Sequence, residues 1–584
     1  MQSPAFFFFT AFSSARRRFA RTAAALLATA FALDSAAPLA AATSQAAAEP
    51  QAAAAPFAAP AKPVLPTPQQ VLWHEMEQTM FVCLDPCSWQ GREYDNHSTP
   101  LEKIKLEKLD VNQWIDAAEA FDAKLILFVA KHAGGFCWWQ TETSDYSIKN
   151  TAYKNGKGDV LDELAKACFK RGMKLGIYIS PNDTKHGAGN GGKINDPAKQ
   201  AAYAKVLRRQ WEEVLSRYGK QIVEVWFDGG VVIPLEDVIR KHTPQSIVFQ
   251  GPFADIRWVG NERGFCPYPN WYTLDSKAAR TGGATAEHSR PDGDAWLPVE
   301  VDTTLRNHFW FWNKANEKSL RSLDNLMSIY YQSVGRGALL LLNSAPDTTG
   351  LIPLKDMELY RAFGKEVRRR FGKSIAETSG NGNTLELRLE KSAVIDHVII
   401  QEDLALGQRI RKYDIEGFSK GAWRVLARGL SVGQKRIEQF APVEVSAVRL
   451  RVVESSFPAV IRRLAVFNTG AGKLVSVGGA ALAKPEKAAS EVHIGNNGNF
   501  SFDLSPFIPL AEQYVLRFRA GNSLARPTSV SLWIEGVELA NKAEILSDGS
   551  VRINITGYPS MKKNSIIIKG NFGKRRGRLA LSVQ

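Results

Sequence analysis

The stretch Ile222-Val-Glu-Val-Trp226-Phe-Asp228-Gly229-Gly230 constrains this chain more than any other. A run of β-branched and aromatic residues ends abruptly in a carboxylate followed by two glycines. Such a run reads as a parallel strand buried on both faces, delivering Asp228 to its C-terminal end. Glycines at that point let the chain turn away and leave room for a ligand. In a (β/α)8 barrel the reacting groups gather at that end of the strands. An Asp in isolation would more simply cap the next helix, so the reading depends on what the neighbouring strands supply.

They supply a barrel. Met80–Leu84, Leu125–Ala130 and Lys174–Ser180 are predicted strands, the third halted by Pro181. Ser246–Gln250 and Gly337–Asn343 are two more. Helical spacing falls between them, over Val111–Phe121, Asp159–Arg171, Pro197–Tyr218, Leu320–Val334 and Leu354–Phe371. Successive early strand ends lie about 49 residues apart, room for long loops at the mouth. Residues 251–316, rich in Trp, Gly and Pro, read as irregular. The predicted fold class is therefore α/β, a (β/α)8-type barrel over residues 71–373. Short alternating strands then indicate C-terminal all-β sandwich domains. These take residues 374–472 and 492–584, with a polar linker at 473–491.

The N-terminus carries an address rather than a fold. Arg16, Arg17, Arg18 and Arg21 precede an apolar run and small residues, so residues 1–42 read as an export signal. Arg16-Arg17-Arg18-Phe19 resembles a twin-arginine signal. The run is short for a membrane span, and Ala/Pro-rich residues 43–70 read as a linker. The mature protein is expected in the periplasm or outside the cell, without a membrane span. Removing the signal takes four Arg and one Asp, lowering the net charge from +15 to +12. The basic residues are spread out and accompany no nucleic-acid motif, so a solvated basic surface is expected. The five cysteines are an odd count, and Cys83-x3-Cys87 lacks a matching cluster for zinc, so buried thiols are expected.

Strand ends present Glu93, His132, Tyr178, Asp228, Arg257 and Glu262. Each alone has a structural explanation. Together they form a pocket rich in acids and aromatics, without a phosphate loop, metal cluster or dinucleotide fingerprint. No cofactor and no metal are expected. Two carboxylates beside His, Tyr and Trp suit a sugar, whose faces stack on rings while its hydroxyls bond polar groups.

Four ordered motifs carry a family resemblance: Trp226-Phe-Asp228-Gly229, Lys131-His132-x-x-Gly135-Phe136, Ile256-Arg-Trp-Val-Gly-Asn-Glu262 and Gly337-x-Leu-Leu-Leu-Leu-Asn343. With them the chain resembles the retaining α-L-fucosidases of glycoside hydrolase family 29. The Arg-Trp-Val-Gly-Asn-Glu string is similar to the branch acting on α-1,3 and α-1,4 fucose. The resemblance implies double displacement, with Asp228 as nucleophile and Glu262 as acid and base. It implies a fucosylated oligosaccharide or glycoconjugate as partner, held by Glu93, Tyr94, His132, Tyr178, Trp226, Arg257, Trp258 and Glu300. Glu300 is the rival acid, and Asp302 and Arg306 would brace the pocket. The family usually has His-His-Asp-Gly-Phe where this chain has His132-Ala133-Gly134-Gly135-Phe136, and a His where Cys83 stands. Tyr94 replaces a Trp. These departures leave open a related L-sugar such as an α-L-galactoside, or a carbohydrate-binding protein without turnover. The 374–472 module resembles galactose-binding-like domains.

Overall fold

A computed structural model describes residues 62–306 and 309–470, and strand segments between 489 and 583. The export signal, linker residues 43–61 and linker residues 473–488 lie outside the described residues.

Eight parallel strands form one sheet: β1 (Gln78–Val82), β2 (Leu125–Lys131), β3 (Lys174–Ile179), β4 (Ile222–Trp226), β5 (Ile247–Phe249), β6 (Arg257–Trp258), β7 (Val299–Thr303) and β8 (Leu339–Ser344). Their order is β5-β4-β3-β2-β1-β8-β7-β6, and a parallel Phe249–Ile256 bridge all but closes the ring between β5 and β6. Period-two alternation sorts the side chains into two layers. Phe81, Leu127, Tyr178, Trp226, Phe249 and Leu341 fill the lumen. Val82, Ile126, Ile177, Val225, Val301 and Leu340 face outward, beneath the helices.

Those helices are α1 (Val111–Ala120), α2 (Val160–Arg171), α3 (Pro197–Tyr218), α4 (Glu236–His242), α5 (Leu323–Gln332) and α6 (Leu354–Phe371). Local chemistry fixes where they start. In α3, Pro197 opens the first turn and Asp196 accepts from the Ala198 and Lys199 amides at 2.9 and 3.0 Å. Leu207, Trp211 and Val214 then bury one face against the outer layer. Each such side chain, fully buried, contributes about 1.5–3 kcal/mol. No helix separates β5 from β6.

The stretch expected to be irregular holds two barrel strands. β6 is only two residues long, and β7 turns carboxylates inward and valines outward, so neither shows an apolar run. The five cysteines are buried thiols. Among the described residues no helix is long and apolar enough to cross a membrane.

After the barrel come β9 (Ala376–Asn381), β10 (Thr384–Glu402), β11 (Ile410–Ser419), β12 (Ala422–Gly429), β13 (Arg436–Ser455) and β14 (Val460–Phe467). They form one antiparallel sheet in the order β9-β14-β10-β13-β11-β12. Register breaks in β10, between Arg388 and Ala393 and between Ile395 and His397, bend the sheet around its own core of Ile395, Ile400, Ile415 and Leu450. It docks on the barrel through apolar contacts, with Ile399, Ile437 and Phe467 joining the barrel's outer core, and through polar ones. Gln408 Nε2 donates to the Asn270 carbonyl at 2.9 Å, and Tyr331 Oη and His397 Nε2 are 2.8 Å apart. The C-terminal segments form a six-stranded and a four-stranded antiparallel sheet, joined through the Phe500, Phe518 and Phe572 rings.

Candidate active site

Asp228 stands two residues beyond the end of β4, on the lumen face shared by Glu224 and Trp226. Gly229 and Gly230 have φ of +73° and +91°, a region that favours glycine, and the chain turns there. The Gly229 amide donates to Gln250 Oε1 at 2.9 Å, fixing the turn to β5. Tyr178 Oη, from the end of β3, donates to Asp228 Oδ2 at 3.2 Å.

Glu262 lies in the loop after β6. Its carbonyl accepts from Thr303 Oγ1 at 2.8 Å, and the Arg263 amide beside it donates to Asn261 Oδ1 at 3.1 Å. Two other groups register both acids at once. Burial and then the charges of Asp228, Glu93 and Glu262 push the Tyr94 hydroxyl up. Burial, then Glu262, with Asp228 further down, holds the Asp302 carboxyl well above the usual carboxylate range. Asp228, just beyond β4, and Glu262, in the loop after β6, thus both bear on Tyr94 and Asp302.

Rings line that pocket. Tyr94, 52% exposed, stacks on His132 at 5.8 Å, and His132 stacks on Tyr178 at 6.1 Å. Burial lowers His132 to about 4, so its imidazole is neutral at ordinary pH. Trp226 stacks on Phe249 at 4.0 Å with the planes 4° apart. Trp258 Nε1 donates to Asp302 Oδ1 at 2.7 Å. Glu93 accepts from the Trp310 amide at 3.2 Å, and Asn343 Nδ2 holds the Trp310 carbonyl at 2.9 Å.

The loop carrying His132 is held from behind. Lys131 Nζ and Asp183 Oδ2 are 3.0 Å apart with both side chains fully buried. A Cβ on Gly134 would collide with the Asp95 side chain, and one on Gly135 with Asp183. Glycine at both positions lets two carboxylates approach the backbone.

Two expected sugar ligands are corrected. Arg257 alternates with Trp258 along β6 and points away from the pocket. Its guanidinium donates to the carbonyls of Leu297 and Tyr272, to the Trp271 carbonyl at 2.8 Å and to Ser289 Oγ at 2.7 Å. Burial lowers it to about 10. Glu300 is 0% exposed inside the lumen and accepts from Trp226 Nε1 at 2.7 Å, so it cannot reach a sugar at the mouth. Arg306 pairs with the buried Asp356 of α6, bracing that helix rather than the pocket. Sequence reasoning missed Trp310 and Asn343 as supports of Glu93, and Glu224 as the partner of Glu300. The alternating Val299-Glu300-Val301-Asp302 pattern was the available signal for β7.

The family model described as Alpha-L-fucosidase matches residues 72–370. A protein of Oryza sativa subsp. japonica bearing the alpha-L-fucosidase name is 30% identical over 458 residues, covering 70% of this chain and 86% of its own. The crystal structure of a glycoside hydrolase 29 family member from an unknown rumen bacterium aligns with a TM-score of 0.64 at 25% identity. That alignment covers 90% of this chain and 99% of the other. A Ruminococcus gnavus fucosidase in complex with fucose shares the fold, with a TM-score of 0.62, 23% identity and coverage of 71% and 96%.

Proposed function

The chain belongs to the alpha-L-fucosidase family, and we propose that it is an exported retaining exo-glycosidase that releases terminal α-1,3- or α-1,4-linked L-fucose from oligosaccharides or glycoconjugates. One observation carries the mechanism: Tyr178 Oη holds Asp228 Oδ2 at 3.2 Å just beyond β4, and the charges of Asp228 and of Glu262, in the loop after β6, both bear on Tyr94 and Asp302. Opposed carboxyls at one pocket are what double displacement needs, at roughly 5–5.5 Å for retention.

In the first step an Asp228 carboxylate oxygen bonds to the anomeric carbon as the glycosidic C–O bond breaks. Glu262 passes its proton to the departing oxygen. In the second step Glu262 takes a proton from water, whose oxygen bonds to the anomeric carbon and displaces Asp228. The configuration is inverted twice and so retained. The Tyr178 hydroxyl orients Asp228 and steadies its charge between the steps. Neutral His132, stacked between Tyr94 and Tyr178, offers a donor and an acceptor to sugar hydroxyls. Trp226 and Trp258 offer apolar faces to the ring.

The export signal and the string Arg257-Trp-Val-Gly-Asn-Glu262 support the periplasmic or extracellular location and the linkage, respectively. The test is fucose release from a Lewis-type trisaccharide carrying α-1,3/1,4 fucose, beside a simple aryl α-L-fucoside, with Glu262→Gln as control. Release of the α-anomer first, lost from the trisaccharide in the control, is the expected result. Release of the β-anomer would overturn retention. Cys83 and Ala133, smaller than the imidazoles of the family, favour one second reading, an α-L-galactosidase. Faster turnover of the L-galactoside would select it.

A further inference from the structure

We infer that Glu224 and Glu300 form a proton-sharing carboxyl pair inside the barrel, and that this pair positions Trp226 beneath the sugar site. Both side chains are 0% exposed. Glu224 sits on β4, two residues before Trp226 and four before Asp228, on the same lumen face. Glu300 reaches it from β7.

Each carboxyl already accepts one indole N–H. Trp73 Nε1 donates to Glu224 Oε2 at 3.0 Å, and Trp226 Nε1 donates to Glu300 Oε1 at 2.7 Å. The remaining oxygens, Glu224 Oε1 and Glu300 Oε2, are fully buried and no N–H or hydroxyl among the described residues reaches them. Both carboxyls lie in the lumen, Glu300 holding the Trp226 that follows Glu224 by two residues on the same face, and each acts on the other. Two buried carboxylates in contact would repel strongly in so apolar a lumen. A single proton between them turns the repulsion into an O–H···O⁻ bond and satisfies both orphaned oxygens. Burial raises Glu224 to about 7, and burial plus the Glu224 charge holds Glu300 well above the usual carboxylate range. Asp302, two residues along β7, also raises Glu300.

The pair settles the orientation of Trp226. The parallel stack on Phe249 fixes the plane of the indole. The bond to Glu300 fixes its rotation within that plane. Glu300 touches neither the sugar nor the reacting atoms, so it is a positioning residue. On the same face of β7, Asp302 holds the Trp258 indole, so one strand orients two ring faces of the pocket.

The experiment compares Glu300→Gln and Glu300→Leu with the wild type. The inference rests on the α-L-fucosidase reading only for its kinetic arm, which uses an aryl α-L-fucoside across pH. A glutamine carbonyl still accepts from Trp226, and its N–H2 donates to Glu224 at every pH. Glu300→Gln is therefore expected to keep kcat/KM within about threefold near neutrality, and to lose less activity at alkaline pH than the wild type. Glu300→Leu strands both Trp226 and Glu224 and is expected to raise KM about tenfold or more. The second arm is thermal stability against pH, which needs no activity. The folded pair keeps a proton that unfolded glutamates shed above about pH 4.3. Folded protein then binds more protons than unfolded, and stability falls as pH rises. The Gln variant is expected to show a shallower fall. Loss of about a thousandfold in Glu300→Gln would make Glu300 an acid catalyst and overturn the inference. So would wild-type stability slopes in that variant. If the Leu variant fails to fold, the Gln variant decides. If the wild type does not cleave the fucoside, the functional reading falls and the stability arm still judges the pair.

Discussion

The Tyr178 hydroxyl donates to Asp228 Oδ2 at 3.2 Å, across from β3 to the end of β4. It is a bond to a charged acceptor, and such bonds contribute about 1.5–3 kcal/mol. Tyr178→Phe removes it without changing the ring that stacks on His132. The expected outcome is a fall in kcat of roughly 10- to 150-fold with KM little changed. Steady-state kinetics on an aryl α-L-fucoside checks it, and unaltered kcat would remove Tyr178 from the nucleophile's support.

Asp302 distinguishes a neutral role from a charged one. Its carboxyl is held far above the usual range by burial, Glu262 and Asp228, and it accepts from Trp258 Nε1 at 2.7 Å. Asp302→Asn keeps an acceptor for the indole and is expected to retain activity within about fivefold. Asp302→Ala leaves the Trp258 N–H unpaired, costing about 1–3 kcal/mol and raising KM. Equal damage from both variants would show that Asp302 acts as an anion.

Lys131 and Asp183 form an ion pair closed off from solvent behind the His132 loop. Lys131→Met leaves Asp183 buried with its charge uncompensated, apart from His186 at 3.0 Å. Breaking such a pair costs about 3–5 kcal/mol. The expected outcome is a clear fall in Tm by calorimetry. A Tm within a degree or so of wild type would mean that water reaches the site.

His132 gives stability an acid dependence. Burial lowers it to about 4, whereas an unfolded histidine protonates near about 6.5. Below about pH 6.5 the unfolded chain therefore binds more protons than the folded one. The stabilisation is complete above that value and is lost as pH falls toward 4. His74, lowered to about 3 by burial, acts in the same direction. Denaturant titrations from pH 7 to 4 should show a shallower slope in His132→Asn than in wild type.

Much of the protein is legible in its sequence. The apolar runs before Asp228 and Asn343 and the helical spacing of Leu354–Phe371 are local signals, and the structure places a strand or helix at each. The four motifs named the family because backbone turns and reacting groups repeat as short strings. The strands hidden in 251–316 were not legible. β6 has two residues, and β7 buries acids where a strand is expected to bury apolar groups.

What the sequence determined by itself was therefore the fold class, six of the eight barrel strands and the identity of the candidate acids. Only the tertiary structure decided which of them meet. Arg257 and Trp258 are neighbours in the chain, yet the two-residue alternation of a strand sends one into loop carbonyls and the other into the pocket. Glu300 looks like an acid at a strand end. Ring closure instead turns it toward Glu224, 76 residues earlier, in a lumen that excludes water. Burial and proximity set what a carboxyl does, and both arise only when distant strands close into a barrel.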